Sequence, residues 1–317
     1  MRAKGLKFGA YYSQAQDWNN PGGSTGTTQP WDPAQKGDFD EYLKNVSLPQ
    51  VREILAKFHP DILWWDTEYQ MTPERARPFF ELVTAHPDLI ENSRLGGGVL
   101  GDFRTSEQRI PASAMLGRAL EVNMTINNSW GYRSDDLHWK SARQLIRDLS
   151  DIASKDGNYL LNIGPTAEGL IPRPEIDRLL AIGRWLRLNG EAIYSTRGSI
   201  YPNALPWGRT TQRTAGGSGM TLYLHVWDWP ADGKLLLPDI RQVPLNGWLM
   251  ANGMKVAVTA SKEGLVVTLP DNAPDPDVSI VALEFDHPIE VVGTTALPND
   301  SGASGTLADP SKSPPTP

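Results

Sequence analysis

The sequence predicts an α/β protein, an incomplete TIM-like (β/α) barrel followed by an antiparallel β-sandwich. Up to about residue 198, short apolar runs alternate with amphipathic helical segments, and βα units in series favour a barrel with parallel strands. After residue 198, short strands separated by Gly, Pro, Asn and Asp turns are typical of a sandwich. We therefore expect a barrel domain at 1–198 and a sandwich at 199–292. The Ser- and Pro-rich segment 293–317 is predicted to be a disordered tail.

Apolar spacing and capping residues locate the elements of the first domain. Ser47 and Pro49 open one predicted helix, and Thr72 and Pro73 open the next. Gly190 is predicted to end the last helix in a left-handed conformation. The predicted strands are 6–13, 61–66, 88–93, 121–127 and 158–164, and the predicted helices are 47–58, 72–85, 136–155 and 174–190.

The second domain contains five strand-like segments. Each is short, apolar and bounded by turn residues, as expected for antiparallel strands. The segments are "MTLYLHVWDW", "GKLLLPDI", "VPLNGWLM", "GLVVTLP" and "VSIVALEFD".

Composition excludes several classes of function. The net charge of −7, without a Lys/Arg block, argues against a nucleic-acid partner. No apolar run approaches the roughly 18 residues that a membrane helix needs, so no membrane partner is predicted. The chain has no cysteine and no histidine pair at metal-ligand spacing, so we predict no metal and no cofactor. The start, "MRAKGLKFGAYYS", lacks the apolar core of a signal peptide, and the compartment stays unknown.

Two acidic residues stand where a barrel carries its chemistry. Asp66 ends the strand "DILWWD", and Glu107 lies in the predicted loop after the third strand. Separately, Asp66 is more often a cap or a salt-bridge partner, and Glu107 a solvated surface residue. As a pair, they match the two carboxyl groups of retaining glycosidases, which lie about 5–5.5 Å apart. Eleven tryptophans are compatible with a sugar ligand, although most tryptophans are core residues.

A set of ordered motifs resembles one enzyme family. "LKFGAYYS", "DILWWD", "ENSRLG", "GDFRTSEQ", "MTINNSWGY" and "NYLLNIGPTAEGLIP" occur in the order seen in the α-L-fucosidases of glycoside hydrolase family 29, and the resemblance covers residues 5–198. It implies that Asp66 is the nucleophile and Glu107 the general acid/base. It also implies that Tyr11, Trp64 and Arg94 face the fucose.

The resemblance implies a retaining exo-α-L-fucosidase that acts on a fucosylated oligosaccharide or glycoconjugate through a covalent fucosyl-aspartate intermediate. Whether transfer competes with hydrolysis stays open. An alternative is a catalytically impaired remnant that binds sugar or has a structural role. A glycosidase for another sugar is a third interpretation, and it fits the motifs less well. Arg94 could instead be a structural ion-pair partner, and Trp65 is expected to pack in the core.

The resemblance also implies that part of the barrel is missing. The first motif matches the fourth strand of an eight-stranded barrel, so about five of eight strands are expected, without the family's His-His pair. Open sheet edges are aggregation hazards unless something covers them. A second copy of the chain, further chain of a longer protein, or the loop at 14–37 together with the sandwich could cover them. We expect a homo-oligomer.

Overall fold

The computed structural model describes residues 2–24, 32–114, 117–214, 218–289 and 291. The chain divides into two compact units, Met1–Thr105 and Ser106–Ser301. This division falls inside the predicted first domain, and the predicted boundaries at 198 and 292 stay predictions. The predicted disordered tail, 293–317, lies outside the described residues.

The first unit contains a parallel sheet covered by helices. Its strands β1, β2 and β3 are hydrogen-bonded in that order and run parallel. Tyr12, Leu63 and Trp65 point to one face of the sheet and belong to a buried cluster that includes Val51 and Phe79 of the helices. The elements are β1 (Gly9–Ser13), α1 (Phe39–Tyr42), a π-helical turn (Leu43–Ser47), α2 (Leu48–Phe58), β2 (Ile62–Asp66), α3 (Pro73–Thr84) and β3 (Ile90–Glu91).

The helix that enters β2 begins earlier than predicted. Helical backbone starts at Phe39, and the Asp38 side chain caps it by accepting a hydrogen bond of 3.0 Å from the Glu41 N–H. The predicted cap role of Ser47 is wrong, since Ser47 has helical backbone angles and makes no capping hydrogen bond. Pro49 has no N–H to donate, and the π-helical turn just before it lets the helix pass this residue.

The second unit begins inside β4 (Phe103–Glu107), a strand that the sequence analysis missed. With it, the described part of the chain up to residue 198 contains six strands where five were predicted. The prediction that Glu107 lies on a loop is wrong, because Glu107 is the last residue of this strand. "FRTSE" has one buried residue, Phe103, so its apolar pattern is too weak to predict a strand. The elements that follow are β5 (Ala119–Thr125), α4 (Ala142–Ala153), β6 (Gly157–Asn162) and α5 (Arg173–Asn189).

Gly190 follows α5 without the predicted left-handed conformation. Its φ is −60°, and the chain continues into a 3-10 turn at Gly190–Ala192. A Cβ at this position would lie 2.9 Å from a ring carbon of Tyr194. A Cβ here would require the exposed Tyr194 ring to move. The predicted helix cap is wrong.

The remaining strands form two antiparallel sheets. One has the order β10-β13-β8-β7 and the other β11-β12-β9. Leu222 and Leu224 of the first sheet share a buried cluster with Leu235 and Leu265 of the second. The five predicted segments all contain strands, and the structure adds β7 and β11. β7 has the polar sequence "GRTTQRT", and β11 has only four residues, "AVTA". The strands are β7 (Gly208–Thr214), β8 (Met220–Val226), β9 (Lys234–Pro238), β10 (Asn246–Leu249), β11 (Ala257–Ala260), β12 (Gly264–Thr268) and β13 (Ser279–Phe285).

Within the second unit, the helices pack on the outer face of the larger antiparallel sheet. Ile146 of α4 and Trp185 of α5 share a buried cluster with Tyr223 and Ile280 of that sheet. The Trp185 indole N–H donates to the Val278 carbonyl at 2.8 Å. The predicted combination of an α/β part with antiparallel sheets is confirmed, whereas the incomplete barrel stays a prediction. Among the helices that the structure describes, none has both the length and the apolar composition to cross a bilayer.

Candidate active site

β1 and β2 present aromatic and polar side chains together at their C-terminal ends. In their parallel register, Tyr11 is paired with Trp64, and Ser13 with Asp66. Because side chains alternate along a strand, Trp65 points to the opposite face and is fully buried there. The prediction that Trp65 is a packing residue is therefore confirmed, and Trp64 and Asp66 share the other face.

The Asp66 carboxylate is surrounded by hydrogen-bond donors. Its Oδ2 accepts from the Tyr11 hydroxyl at 2.6 Å. Its Oδ1 accepts from Arg94 Nη1 at 2.8 Å and from the Thr67 backbone N–H at 2.9 Å. Three donors, one of them charged, stabilise negative charge on these oxygens. The Asp66 side chain is still 22% exposed, so a ligand can reach it.

Contacts with Asp66, Thr105 and Trp64 help to orient the Arg94 side chain. Its guanidinium forms the ion pair with Asp66, and its Nε donates to Thr105 Oγ1 at 2.8 Å. The guanidinium carbon also lies 4.9 Å from the centre of the Trp64 ring, within range of a cation–π interaction. Only 16% of the Arg94 side chain is exposed, so salt screens this ion pair less than a surface pair.

Tyr11 forms the exposed side of the cluster. Its ring stacks on that of Trp64 with centroids 5.7 Å apart and planes 17° apart, and 58% of the residue is exposed. Burial around the hydroxyl raises the pKa of Tyr11 above its ordinary value, and the hydrogen bond to Asp66 and its negative charge raise it further. Tyr11 therefore remains a neutral donor to Asp66 at physiological pH.

Glu107 lies in the second unit, at the exposed end of β4. The next residue, Gln108, donates its backbone N–H to the Asn123 carbonyl at 2.9 Å, and its side-chain amide bonds Thr125 of β5. These contacts fix the chain directly after Glu107. Its pairing with Asp66, a residue of the first unit, stays a prediction.

Three further residues support the cluster and were not predicted from the sequence. Asn92 is buried, and its side-chain amide forms hydrogen bonds with both the N–H and the carbonyl of Trp65. Gln14 Nε2 donates to the Arg94 carbonyl at 2.9 Å, and Thr105 accepts from the Arg94 side chain. Asn92 and Thr105 lie in the motifs "ENSRLG" and "GDFRTSEQ", which was the available signal. Their partners are distant in sequence, so the motifs alone could not reveal the contacts.

Across residues 2–24, 32–114, 117–214, 218–289 and 291, no group of three or more His, Cys, Asp or Glu side chains is placed to hold a metal ion. The cluster consists instead of the Asp66 carboxylate, the Arg94 guanidinium, the Tyr11 phenol and the Thr105 hydroxyl. Hydrogen-bonding groups beside stacked aromatic rings are typical of sites that bind carbohydrate.

Comparisons with known proteins agree with this class of site. The family model described as alpha-L-fucosidase matches residues 1–191. Over 288 residues, the chain is 30% identical to an alpha-L-fucosidase from Branchiostoma floridae, covering 84% of this chain and 60% of that protein. The fold of this chain is similar to that of alpha-L-fucosidase isoenzyme 1 from Paenibacillus thiaminolyticus, with a TM-score of 0.76 and 30% identity. The match covers 89% of this chain and 72% of that one. The fold is also similar to that of the alpha-L-fucosidase from Vibrio sp. strain EJY3, with TM-score 0.81, 28% identity and coverage of 92% and 53%.

The chain therefore belongs to the α-L-fucosidase family, glycoside hydrolase family 29, as the motifs predicted. It spans less than two thirds of the length of the curated relatives it matches, for example 60% and 63%.

Proposed function

We propose that this chain is a retaining exo-α-L-fucosidase that hydrolyses terminal α-L-fucosides of oligosaccharides or glycoconjugates. The observation that supports the proposal best is the Asp66 carboxylate at the end of β2, with Tyr11 bonded to one oxygen and Arg94 to the other. Family membership adds to it. The nucleophile of such an enzyme must be ionised, fixed in orientation and exposed on one side. These donors favour the first two conditions, and the 22% exposure of the Asp66 side chain meets the third.

In the first step, one Asp66 oxygen attacks the anomeric carbon of the fucose. The bond from that carbon to the leaving oxygen breaks, and the Glu107 carboxylic acid gives its proton to that oxygen. The product is a fucosyl ester of Asp66 and a free alcohol. An Asp66 lone pair forms the ester bond, and the negative charge ends on Glu107, which has lost its proton. The donors Tyr11 and Arg94 remain in place and limit the motion of the Asp66 carboxyl group.

In the second step, the Glu107 carboxylate removes a proton from water, and the water oxygen attacks the anomeric carbon. The ester bond to Asp66 breaks, and both carboxyl groups return to their starting states. A sugar hydroxyl in place of water would give transfer of fucose by the same chemistry. The mechanism requires the two carboxyl groups to lie about 5–5.5 Å apart.

Trp64, Tyr11 and Arg94 are the proposed contacts to the sugar. The stacked rings of Trp64 and Tyr11 offer an apolar surface to the C–H face of a fucose. Arg94 brings a positive charge to the same place and can donate to a sugar hydroxyl while it bonds Asp66. Replacing these groups is expected to weaken binding of substrate and transition state alike.

Asp66→Gly tests the proposed nucleophile. Hydrolysis of an aryl α-L-fucoside is expected to fall by at least about 10³-fold, because no covalent intermediate can form. Azide should restore part of the rate by attacking the anomeric carbon from the space that the side chain occupied. The measurement is release of the aryl alcohol from purified protein, with and without azide.

Asp61→Gly is the matched control, since Asp61 directly precedes the same strand and is also ion-paired, with Lys7. The activity of this variant should stay within about threefold of that of the original chain, because a surface ion pair contributes little to stability. Unchanged hydrolysis in Asp66→Gly would contradict the proposal. Binding of fucose in calorimetry without any turnover of the original chain would favour the impaired sugar-binding remnant instead.

We also propose that copies of this chain associate as a homo-oligomer. In the described part of the first unit, β1 is an end strand of the order β1-β2-β3, which leaves its outer backbone groups available for pairing. Ile90 of this sheet is 43% exposed. A second copy that pairs with the β1 edge and covers Ile90 would bury apolar surface and protect the strand edge, provided that Tyr11 and Asp66 stay open to substrate.

A further inference from the structure

We infer that Asn92 is a positioning residue, which sets the Asp66–Arg94 ion pair through hydrogen bonds to the backbone next to each partner. The kinetic consequence of this inference rests on the proposed function, whereas its structural consequence does not. Asn92 is fully buried. Its described side-chain hydrogen bonds go to the backbone of Trp65 and Arg94, not to the Asp66 carboxylate. It therefore acts through other residues.

The first contact of Asn92 fixes the end of β2. Backbone pairing between β2 and β3 stops at Leu63 and Glu91, before β2 has reached Asp66. The Asn92 side chain continues the pairing: its Oδ1 accepts from the Trp65 N–H at 3.0 Å and its Nδ2 donates to the Trp65 carbonyl at 2.9 Å. Because Trp65 directly precedes Asp66, this two-bond bridge holds the backbone from which the proposed nucleophile projects.

The second contact fixes the turn that carries Arg94. The same Asn92 Oδ1 accepts from the Arg94 N–H at 3.3 Å and caps the 3-10 turn Ser93–Leu95. One amide group is thus bonded to the residue before Asp66 and to Arg94 itself. Gln14 adds a separate tether, from its amide to the Arg94 carbonyl. The position of one ion-pair partner relative to the other therefore depends on Asn92.

Loss of this bridge should alter the ion pair more than the fold around it. The Arg94–Asp66 hydrogen bond is 2.8 Å, and a displacement of about 1 Å would break it. Such a displacement of a catalytic group can cost about 10²-fold in rate. We therefore expect Asn92→Ala to lower kcat/KM for an aryl α-L-fucoside by about 10²-fold, chiefly through kcat.

Asn189→Ala is the matched control. Asn189 is also buried, and its Nδ2 donates to a tryptophan carbonyl, that of Trp185, at 3.1 Å. It lies at the end of α5 in the second unit, whereas the ion pair belongs to the first. The two variants lose the same kind of buried hydrogen bond, so Asn189→Ala should lower the melting temperature but leave kcat/KM within about threefold. Equal kcat/KM losses in the two variants would overturn the inference.

A double-mutant cycle separates positioning from general destabilisation. Because Asn92 acts partly through Arg94 and partly through the backbone before Asp66, Asn92→Ala should cost only about tenfold in kcat/KM when Arg94→Ala is already present. A full 10²-fold loss in that background would overturn the inference. Should Asn92→Ala not fold, Asn92→Asp keeps the volume and both Oδ1 bonds while it replaces the donor to Trp65 by an acceptor. We expect kcat/KM of the Asn92→Asp variant to fall by at least about tenfold.

A spectroscopic measurement tests the structural consequence without any activity. The Arg94 Nε–H signal, identified in ¹⁵N spectra by its absence in Arg94→Ala, should move in Asn92→Ala because Arg94 leaves Thr105 and the Trp64 ring. Asn189→Ala should not move it. An unmoved signal in Asn92→Ala would overturn the inference even in an inactive protein. A moved signal in a chain that hydrolyses no fucoside would support it while contradicting the proposed function.

Discussion

Glu91 is a buried carboxyl group one residue from Asn92. Its carboxylate accepts a hydrogen bond from the Trp65 indole N–H, and only 3% of the residue is exposed. Burial raises the pKa of Glu91 from its ordinary 4.5 to about 7, the Trp65 hydrogen bond opposes this, and the charge of Asp102 adds to it. The buried layer behind Asp66 thus contains a group that titrates near neutral pH.

This raised pKa predicts a pH dependence of stability. Between pH 4.5 and about 7, the folded chain binds more protons at Glu91 than the unfolded chain, so the free energy of unfolding should fall as pH rises. The Glu91→Gln variant has no ionisable group at this position. Its free energy of unfolding should therefore lack the part of the decrease that Glu91 causes, on the order of 2 kcal/mol between pH 5 and pH 8. Urea denaturation at both pH values measures it.

Glu53→Gln, a change of an exposed glutamate on α2, serves as the control and should retain the decrease of the original chain. A Glu91→Gln variant whose unfolding free energy keeps the full pH dependence of the original chain would show that Glu91 does not titrate as described.

At the scale of elements, the helix that enters β2 shows how local patterns mislead. Both Asp38 and Ser47 precede apolar residues at helical spacing, and both are good capping residues. Pro49 favoured Ser47 as the start, because proline is common in the first turn. In the structure, a π-helical turn precedes Pro49 and the helix continues past it. The helix therefore starts after Asp38, and Asp38 caps the N–H groups of its first turn.

The two candidate caps differ in their expected effect on stability. Asp38→Ala removes the acceptor for the Glu41 N–H and should lower the free energy of unfolding by about 1 kcal/mol. Ser47→Ala removes a buried hydroxyl whose oxygen has no partner in the described part of the chain. Its loss should be neutral or stabilising. Chemical denaturation of both variants measures the difference, and a larger loss in Ser47→Ala would contradict the assigned cap.

At the scale of the whole molecule, the second unit combines barrel-type elements with the antiparallel sheets. Ile146 and Trp185 come from the predicted barrel domain, and Tyr223 and Ile280 from the predicted sandwich, yet all four belong to one buried cluster. Arg209 of β7 also forms an ion pair with Asp151 of α4. A change in strand pattern near residue 198 marks where the topology changes, but it does not reveal which surfaces share a core.

The proposed homo-oligomer is also a property of the whole molecule. The mass of the purified chain in solution, measured by light scattering during size-exclusion chromatography, is expected to be at least twice the mass of one chain. Substitution of the exposed Ile90 by lysine should shift the mass toward a monomer, since a charge on a buried contact surface opposes association. A monomer across the accessible concentration range would contradict the proposal.

The sequence by itself determined the α/β and antiparallel parts, the family, and the placement of Asp66 at a strand end. The family follows from the ordered motifs, whereas the fold class and the strand end follow from local periodicity. Alternation along "ILWWD" buries Leu63 and Trp65 and leaves Trp64 and Asp66 on the other face. Only the tertiary structure decided that Tyr11, Arg94 and Asn92 meet around that strand end. Arg94 is 28 residues from Asp66 and Tyr11 is 55, so their contacts depend on the register of neighbouring strands and on the turn after β3.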